Sequence, residues 1–198
     1  MNLKLFENYK IKLASNSPRR RQLLADMGIK FDTISSDIDE TYPDNLQPWE
    51  VAMYLCKKKS EAIDPNKMKD NEIVITADTI VSVEGSIIPK PASRDEAIQF
   101  LKLLSGCMHY VFTAVTIKNN YKNRTFISDS KVWFRKFSDD ELAYYVDNFK
   151  PYDKAGAYGI QEWIGVVGVE HIEGSYFNIM GLPTATLYKE LMEFISEY

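Results

Sequence analysis

The segment from Ser15 to Arg21 reads Ser-Asn-Ser-Pro-Arg-Arg-Arg and follows a short apolar sequence. Ser17 is a good N-cap and Pro18 suits the first helical position, so the pattern predicts a helix that begins at Pro18. The helix dipole already places about half a positive charge at that end, and cations in the first turn are therefore unfavourable. A bound phosphate chain would relieve this, because guanidinium groups, hydroxyls and helix amides match its oxygens. The residues alone leave open a row of solvated arginines.

A single carboxylate, Asp78, interrupts the apolar sequence between Ile73 and Val81. The residues before Asp78 predict a buried strand, and those after it predict one arm of a hairpin that turns at Glu84-Gly85. An unpaired carboxylate is costly to bury, so Asp78 should meet a cation, a metal ion or a wet cleft. It could serve as a general base or a Mg²⁺ ligand. A loop residue that caps the backbone is the structural alternative.

Two lysines and a glutamine could complete a nucleotide site. Lys90 lies between two prolines that stiffen the backbone, although an exposed loop lysine is the simpler interpretation. Lys59 is a weaker candidate, because its neighbours in a lysine-rich helix offer the same chemistry and most of them should be solvated. Gln161 follows a sequence of small residues, and its carboxamide is complementary to the donor–acceptor edge of uracil or thymine. A tight turn with a surface glutamine would have the same composition.

The composition limits the class of protein. The chain has 198 residues, of which 45% are hydrophobic, enough for the core of one domain or a closely joined two-lobed unit. Its net charge of -4 argues against a nucleic-acid partner. Cys56 and Cys107 form no zinc motif and no disulfide framework, which makes a reducing cytoplasm the default. No signal peptide or membrane span is predicted.

The predicted strands and helices alternate along the chain, which favours an α/β or α+β sheet covered by helices. Hairpins argue against an all-parallel sheet. Serine caps predict helix starts after Ser93 and Ser138, and residues 166–169 are predicted to be a strand. Further predicted elements are strands at 11–14, 31–35, 109–118 and 125–137, and helices from Pro48 to about Ile63 and from about Pro183 to the C-terminus.

Four blocks of this sequence together resemble the Maf family of nucleoside triphosphate pyrophosphatases. Each block alone is weak, but the four in this order are highly specific and span nearly the whole chain. They are Leu13-Ala14-Ser15-Asn16-Ser17-Pro18-Arg19-Arg20; Ala77-Asp78-Thr79 with Lys90-Pro91; Leu104-Ser105-Gly106; and Asp153 to Gln161, followed by Gly174-Ser175-Tyr176 and Gly181-Leu182-Pro183.

The resemblance implies one Maf-like domain over residues 1–198, of α/β class with mixed α+β character. The implied fold is a Maf/Ham1-like mixed twisted sheet with flanking helices, whose two lobes surround a nucleotide cleft. It further implies hydrolysis of a nucleoside triphosphate to the monophosphate and pyrophosphate with a divalent metal, Mg²⁺ or Mn²⁺. The form of the block from Asp153 to Gln161 is similar to the subgroup that acts on dTTP and UTP.

The resemblance also implies a role for each matched residue. Asp78 would be the proton acceptor and a metal ligand, with Lys59 and Lys90 as its basic partners. Asp39 and Glu40 are weaker candidates for the metal. The substrate would be bound by Ser15, Arg19, Arg20, Thr79 and Gln161, of which Thr79 and Gln161 correspond to positions tied to base choice. Arg21 falls outside the matched motif and is expected to face solvent.

One departure from the family pattern concerns the base pocket. Glu162-Trp163 follows Gln161 where relatives often carry glycine, so a bulky side chain is expected to narrow or re-aim that pocket. The alternative function is a nucleotide sensor without turnover, since the family is also associated with septum formation and cell division. The expected partner is a nucleoside triphosphate, and a homodimer is the default oligomer.

Overall fold

The computed structural model describes residues 3–35 and 38–196, and the side chains from residue 6 onward. Asp37, part of the predicted acidic loop, lies outside the described residues. Within them, seven strands form one mixed sheet in the order β2-β1-β3-β5-β6-β7, and β4 pairs with β3. The strands are β1 (Lys10–Ala14), β2 (Phe31–Ile34), β3 (Glu72–Val83), β4 (Ser86–Ile88), β5 (Met108–Lys118), β6 (Asn123–Phe134) and β7 (Val169–Gly174).

Helices pack on both faces of this sheet, and the predicted mixed α/β class is confirmed. Short 3-10 turns occupy Leu3–Asn8, Pro65–Lys67 and Ala155–Ala157. No helix in the described part of the chain is both long and apolar enough to cross a bilayer. The α-helices are α1 (Pro18–Asp26), α2 (Pro48–Glu61), α3 (Arg94–Leu104), α4 (Asp139–Phe149), α5 (Trp163–Gly168), α6 (Tyr176–Ile179) and α7 (Thr184–Ser196).

The predicted helix caps are confirmed. The Ser17 hydroxyl accepts a hydrogen bond from the Arg20 amide, so α1 begins at Pro18. Ser93 caps α3 in the same way, and Ser138 forms a capping box with Glu141 at the start of α4. These serines satisfy amides that have no partner within a helix, which is why short local patterns locate the helix starts.

Strand β3 is longer than the sequence predicts. A single strand runs from Glu72 to Val83, so Asp78 lies in its middle and does not cap a loop. Parallel β1 covers one edge of β3 over residues 72–76, and antiparallel β4 covers the same side only over residues 81–83. Between them the edge of β3 is uncovered at residues 77–80. This uncovered edge of β3 determines where the candidate site lies.

Residues 166–169 were predicted to form a strand, and this prediction is wrong. Trp163–Gly168 is the helix α5, and β7 begins only at Val169. A Cβ atom on Gly165 would lie 1.9 Å from the Ile160 carbonyl oxygen, and one on Gly168 would lie 2.0 Å from the Phe137 ring. The two glycines allow this close approach, and the valines between them are left exposed.

The two faces of β3 contact different groups of residues, because successive side chains of a strand point to opposite faces. Ile80 packs with Val51, Leu55 and Cys56 of α2. On the opposite face, Ile73, Ile75 and Ala77 pack with residues of α1 and α7, and Val81 and Val83 pack with residues of α3 and α4. Asp78 therefore faces α2, whereas Thr79 faces the other side of the sheet.

Candidate active site

A cleft of about 670 Å³ opens at the uncovered edge of β3. Its lining comes from the β1–α1 loop, the middle of β3, the segment after β4 and two later segments, residues 153–161 and 179–181. Strand β1 ends at Ala14, opposite Thr76, so the loop that follows it lies beside Asp78 and Thr79. Nine sequence-predicted site residues line this cleft: Ser15, Arg19, Arg20, Glu40, Lys59, Asp78, Thr79, Lys90 and Gln161.

Arg20 is held at the cleft by neutral oxygens. Its Nε donates to the Gly181 carbonyl at 2.8 Å and its Nη2 to the Thr79 hydroxyl at 2.8 Å. A longer contact of 3.4 Å joins Nη1 to the Ser15 hydroxyl. Among the described residues, these contacts use three of the five N–H groups of Arg20, and no carboxylate lies within ion-pair distance. Burial lowers the pKa of this guanidinium, so an anion would be a favourable partner.

The other two arginines differ from Arg20. Arg19 is half-buried, and its Nη1 lies 3.1 Å from Asp153 Oδ2, so this ion pair joins the first turn of α1 to the segment 153–161. Arg21 is exposed, as expected. The three arginines therefore divide into a fixed cation, a cation paired with a carboxylate and a solvent-facing residue.

Asp78 belongs to a chain of alternating charges. Lys59 is only 7% exposed, and its ammonium lies 2.5 Å from Asp78 Oδ1 and 2.8 Å from Glu40 Oε1. The second oxygen of Glu40 accepts from Lys90 at 3.2 Å. The other oxygen of Asp78, Oδ2, has no hydrogen-bond partner among the described residues. That oxygen is available to a water molecule.

These contacts shift two pKa values. Burial disfavours the charged form of Lys59, but the Asp78 and Glu40 carboxylates outweigh it, and the pKa of Lys59 is raised. Partial burial disfavours the charged form of Glu40, but Lys59 and Lys90 outweigh it, and the pKa of Glu40 is lowered. The ion pairs thus keep both groups charged near neutral pH.

Lys59 is the exception to the expectation that most lysines of α2 are solvated. The buried residues of this helix include Ala52, Leu55 and Cys56, and Lys59 continues the same stripe toward β3. Lys57 on another face is exposed. Helical spacing was the signal that distinguishes Lys59 from its neighbours.

Gln161 lies in the cleft at the end of a rigid turn. Its Oε1 atom is buried and has no hydrogen-bond partner in the described part of the chain. The expectation that Glu162-Trp163 narrows the pocket is not met, since neither residue lines the cleft within the described residues. Glu162 accepts a short hydrogen bond from the Tyr145 hydroxyl and lies 3.2 Å from Lys154, while Trp163 packs edge-on against Tyr144.

Two weaker metal candidates separate in the structure. Glu40 lines the cleft, but Asp39 does not. The Asp39 carboxylate is exposed and accepts from the backbone and hydroxyl of Thr41. These hydrogen bonds form a local turn, which explains why Asp39 is directed away from the cleft. Residues 3–35 and 38–196 contain no cluster of three or more histidine, cysteine, aspartate or glutamate side chains suited to a metal ion.

Several residues that shape the site carry no recognisable sequence signal. Thr113 pairs with Thr79 across β5 and β3, and its hydroxyl also contacts the Asn178 carbonyl. Tyr145 of α4 reaches the Gly159 amide and Glu162. Contacts of this kind depend on strand register and helix packing, which single-sequence patterns do not specify.

The fold and cleft define an α/β protein with a cation-lined cleft at an interrupted strand edge. The family model for Maf-like proteins matches residues 10–194, and the chain belongs to the Maf family.

Curated relatives cover almost the whole chain. It is 51% identical over 193 residues to the dTTP/UTP pyrophosphatase of Parabacteroides distasonis, which covers 97% of this chain and 100% of that protein. It is 47% identical over 190 residues to the dTTP/UTP pyrophosphatase of Porphyromonas gingivalis, covering 95% and 96% respectively. A structure of the Staphylococcus aureus Ham1 protein is distantly similar. The alignment covers 63% of this chain and 71% of that chain, with a TM-score of 0.42 and 14% sequence identity.

Proposed function

We propose that the protein hydrolyses dTTP and UTP in the cytoplasm to the nucleoside monophosphate and pyrophosphate. The observation that carries this proposal is Asp78, a carboxylate at the uncovered edge of β3. One of its oxygens contacts Lys59, and the other has no hydrogen-bond partner within residues 3–35 and 38–196. The names of the similar relatives support the same reaction.

In this proposal the triphosphate binds along the start of α1. Arg20 offers its two remaining N–H groups, and the Ser15 hydroxyl lies beside them. Lys90 is 54% exposed at the cleft, so its ammonium can turn from Glu40 to a phosphate oxygen. Arg19 can exchange Asp153 for phosphate in the same way. A triphosphate can displace Asp153, because it carries more charge and can accept two parallel hydrogen bonds from the guanidinium, whereas Asp153 accepts one.

Asp78 acts as the proton acceptor for the attacking water. The ammonium of Lys59 holds one carboxylate oxygen, which leaves the other to accept the proton as water attacks the α-phosphorus. The bond from the α-phosphorus to the bridging oxygen breaks, and pyrophosphate leaves with the negative charge. Arg19, Arg20 and Lys90 stabilise that charge, which is the main electrostatic contribution expected for phosphoryl chemistry.

A divalent cation, Mg²⁺ or Mn²⁺, is part of the proposal. Asp78 and Glu40 are the cleft carboxylates that would hold it, and Mg²⁺ in phosphate sites is commonly bound by one or two carboxylates together with the substrate. When bound, it would neutralise charge on the phosphate oxygens.

Gln161 supplies base selection in this proposal. Its buried Oε1 atom has no described protein partner, and its amide nitrogen is on the same group. A carboxamide can accept from the N3–H of uracil or thymine while it donates to a neighbouring carbonyl of the base. With the carboxamide held in that orientation, adenine and cytosine would place donor against donor and acceptor against acceptor, which is costly in a buried site, whereas guanine offers the same pattern as uracil and would have to be excluded by its size. No specific observation favours the sensor function over the enzyme.

The test is hydrolysis of dTTP and UTP by the purified protein with Mg²⁺ or Mn²⁺ in ¹⁸O-labelled water. The expected products are pyrophosphate without label and a nucleoside monophosphate that carries one ¹⁸O atom. Label in pyrophosphate would place the attack on the β-phosphorus and overturn the assigned chemistry. Tight nucleotide binding without any product, under both metals, would favour the sensor. Parallel assays of dCTP test the base preference assigned to Gln161, and parallel assays of dGTP test exclusion of a purine by size.

A further inference from the structure

We propose that Thr113 on β5 is a positioning residue for Arg20, and that Thr79 transmits its effect instead of reading the base. This inference rests on the proposed function, in which Arg20 binds the phosphate chain. The starting point is a hydrogen-bonded series that runs from Arg20 through Thr79 and Thr113 to the backbone of Asn178.

The direction of each hydrogen bond in this series can be assigned. A backbone carbonyl only accepts, so the Thr113 hydroxyl donates its single proton to the Asn178 oxygen at 3.0 Å. In the 3.0 Å contact between the two threonine hydroxyls, Thr79 must then be the donor. The guanidinium of Arg20 only donates, so Thr79 accepts from Nη2 at 2.8 Å. The hydroxyl proton of each threonine is thus assigned to one hydrogen bond.

This assignment limits what Thr79 can do for a substrate. Its proton is already given to Thr113, so it has none to offer to a carbonyl oxygen of uracil or thymine. One of its two lone pairs is already used by Arg20. The Thr79 side chain is therefore better suited to orienting Arg20, at the phosphate end of the cleft, than to contacting the base.

The far end of the series is rigid. Asn178 is fully buried, and its side-chain amide donates to the Val111 carbonyl and the Ser130 hydroxyl, each at 3.0 Å. Ser130 in turn donates to the Ser175 carbonyl at the start of α6. These three hydrogen bonds fix the turn of chain that receives the Thr113 hydroxyl. A hydroxyl anchored there has little freedom to follow a moving guanidinium.

The same turn also holds Arg20 directly. Gly181, two residues after α6, accepts from Arg20 Nε through its carbonyl at 2.8 Å. Its φ of 109° is a conformation that favours glycine, so the Gly181-Leu182-Pro183 block directs this carbonyl to Arg20. Gly181 thus accepts from Nε of Arg20 and Thr79 accepts from its Nη2. These two contacts fix the plane of the guanidinium group.

The test compares three variants of β5 by calorimetric titration with inorganic pyrophosphate, which has no base. Thr113→Val should weaken pyrophosphate binding by about threefold to tenfold, the range for loss of one hydrogen bond. Thr113→Ser keeps the hydroxyl and should restore binding. Thr116→Val is the matched control, because Thr116 is also a buried threonine of β5 whose hydroxyl pairs with another threonine, Thr125. It should leave pyrophosphate binding unchanged, whatever its effect on the melting temperature.

Thr79→Val separates the two roles of Thr79. Positioning predicts weaker pyrophosphate binding with an unchanged ratio of kcat/KM for dTTP over dCTP. The proposal is overturned if Thr113→Val binds pyrophosphate as wild type does, or if Thr79→Val changes the base ratio and leaves pyrophosphate binding intact. Failure of the wild-type protein to bind pyrophosphate would instead contradict the proposed function.

Discussion

Asp78 and Thr79 are neighbours in β3, but they face opposite sides of the sheet and meet different chemistry. On the α2 side, Asp78 joins Lys59, Glu40 and Lys90 in a series of ion pairs. On the opposite side, Thr79 joins Arg20 to hydroxyl and carbonyl oxygens, with no carboxylate at ion-pair distance among the described residues. One strand therefore separates a charge-balanced cluster from a cation that has no direct ion-pair partner among the described residues.

The difference indicates that the two faces of β3 have different functions. Two ammonium groups and two carboxylates cancel in the Asp78 cluster, so it attracts an anion weakly but holds a carboxylate where a water can reach it. Arg20 keeps its charge and has a fixed orientation, which suits tight binding of phosphate. We therefore expect changes on the Asp78 face to affect mainly kcat and changes on the Thr79 face to affect mainly affinity.

The largest effect is expected for Asp78→Asn. The amide keeps the shape of the carboxylate but cannot take the proton of the attacking water, so kcat for dTTP should fall by about 10²–10⁴-fold. Binding of pyrophosphate should change little, because the hydrogen bonds that orient Arg20 go to Gly181, Thr79 and Ser15 and do not involve Asp78. Steady-state kinetics and calorimetric titration of the same preparation measure the two quantities. Normal turnover by this variant would end the assignment of Asp78 as proton acceptor.

Much of this comparison was accessible from sequence. The apolar residues around Asp78 required a counter-charge, and the serine–proline start of α1 located the arginines at an anion-binding helix end. The resemblance added Lys59, which helical spacing alone would also have placed on the buried face of α2. Local capping chemistry and strand propensity are properties of adjacent residues, and these are the features that the sequence predicts well.

The structure was needed to show that Asp78 and Thr79 lie on opposite faces of the sheet. The sequence divided β3 at Asp78, because a carboxylate normally ends a buried strand, whereas the gap between β1 and β4 lets the strand continue. The pairing of Thr79 with Thr113 depends on the register of two distant strands. Glu162 turns to Tyr145 because α4 packs there. These are tertiary effects with no local pattern.

Arg20→Lys should have the second-largest effect. A lysine cannot hold Gly181 and Thr79 while it presents a planar fork to phosphate, so pyrophosphate binding should weaken by about tenfold to a hundredfold. The value of kcat at saturating dTTP should fall less than it does for Asp78→Asn. The same substitution at exposed Arg21 is the control and should leave both constants unchanged. Equal losses at the two positions would contradict the distinction between the arginines.

A smaller gain is expected for Asp153→Asn. This change removes the carboxylate that competes with phosphate for Arg19, and exposed ion pairs contribute about 0.2–1 kcal/mol, so pyrophosphate should bind up to about fivefold more tightly. Asp147→Asn is the control, because it breaks a comparable aspartate–arginine pair with Arg94 outside the cleft. Weaker binding by Asp153→Asn would show that Asp153 orients Arg19 for its ligand.

The smallest effect is a pH-dependent change in stability at Glu40. Its folded-state pKa is below the ordinary value of 4.5, because Lys59 and Lys90 outweigh the cost of its partial burial. A carboxylate with a lowered pKa contributes stability above the unfolded-state pKa and loses it as pH falls through the folded-state value. Melting temperatures should therefore separate wild type from Glu40→Gln at pH 7, begin to converge as the pH falls below about 4.5, and meet only below the lowered folded-state pKa. Glu61→Gln, at an exposed position of α2, controls for the general effect of removing a carboxylate. A difference that grew on acidification would mean that Glu40 is not held in its charged form by the two lysines, and the Asp78 cluster would then not be balanced.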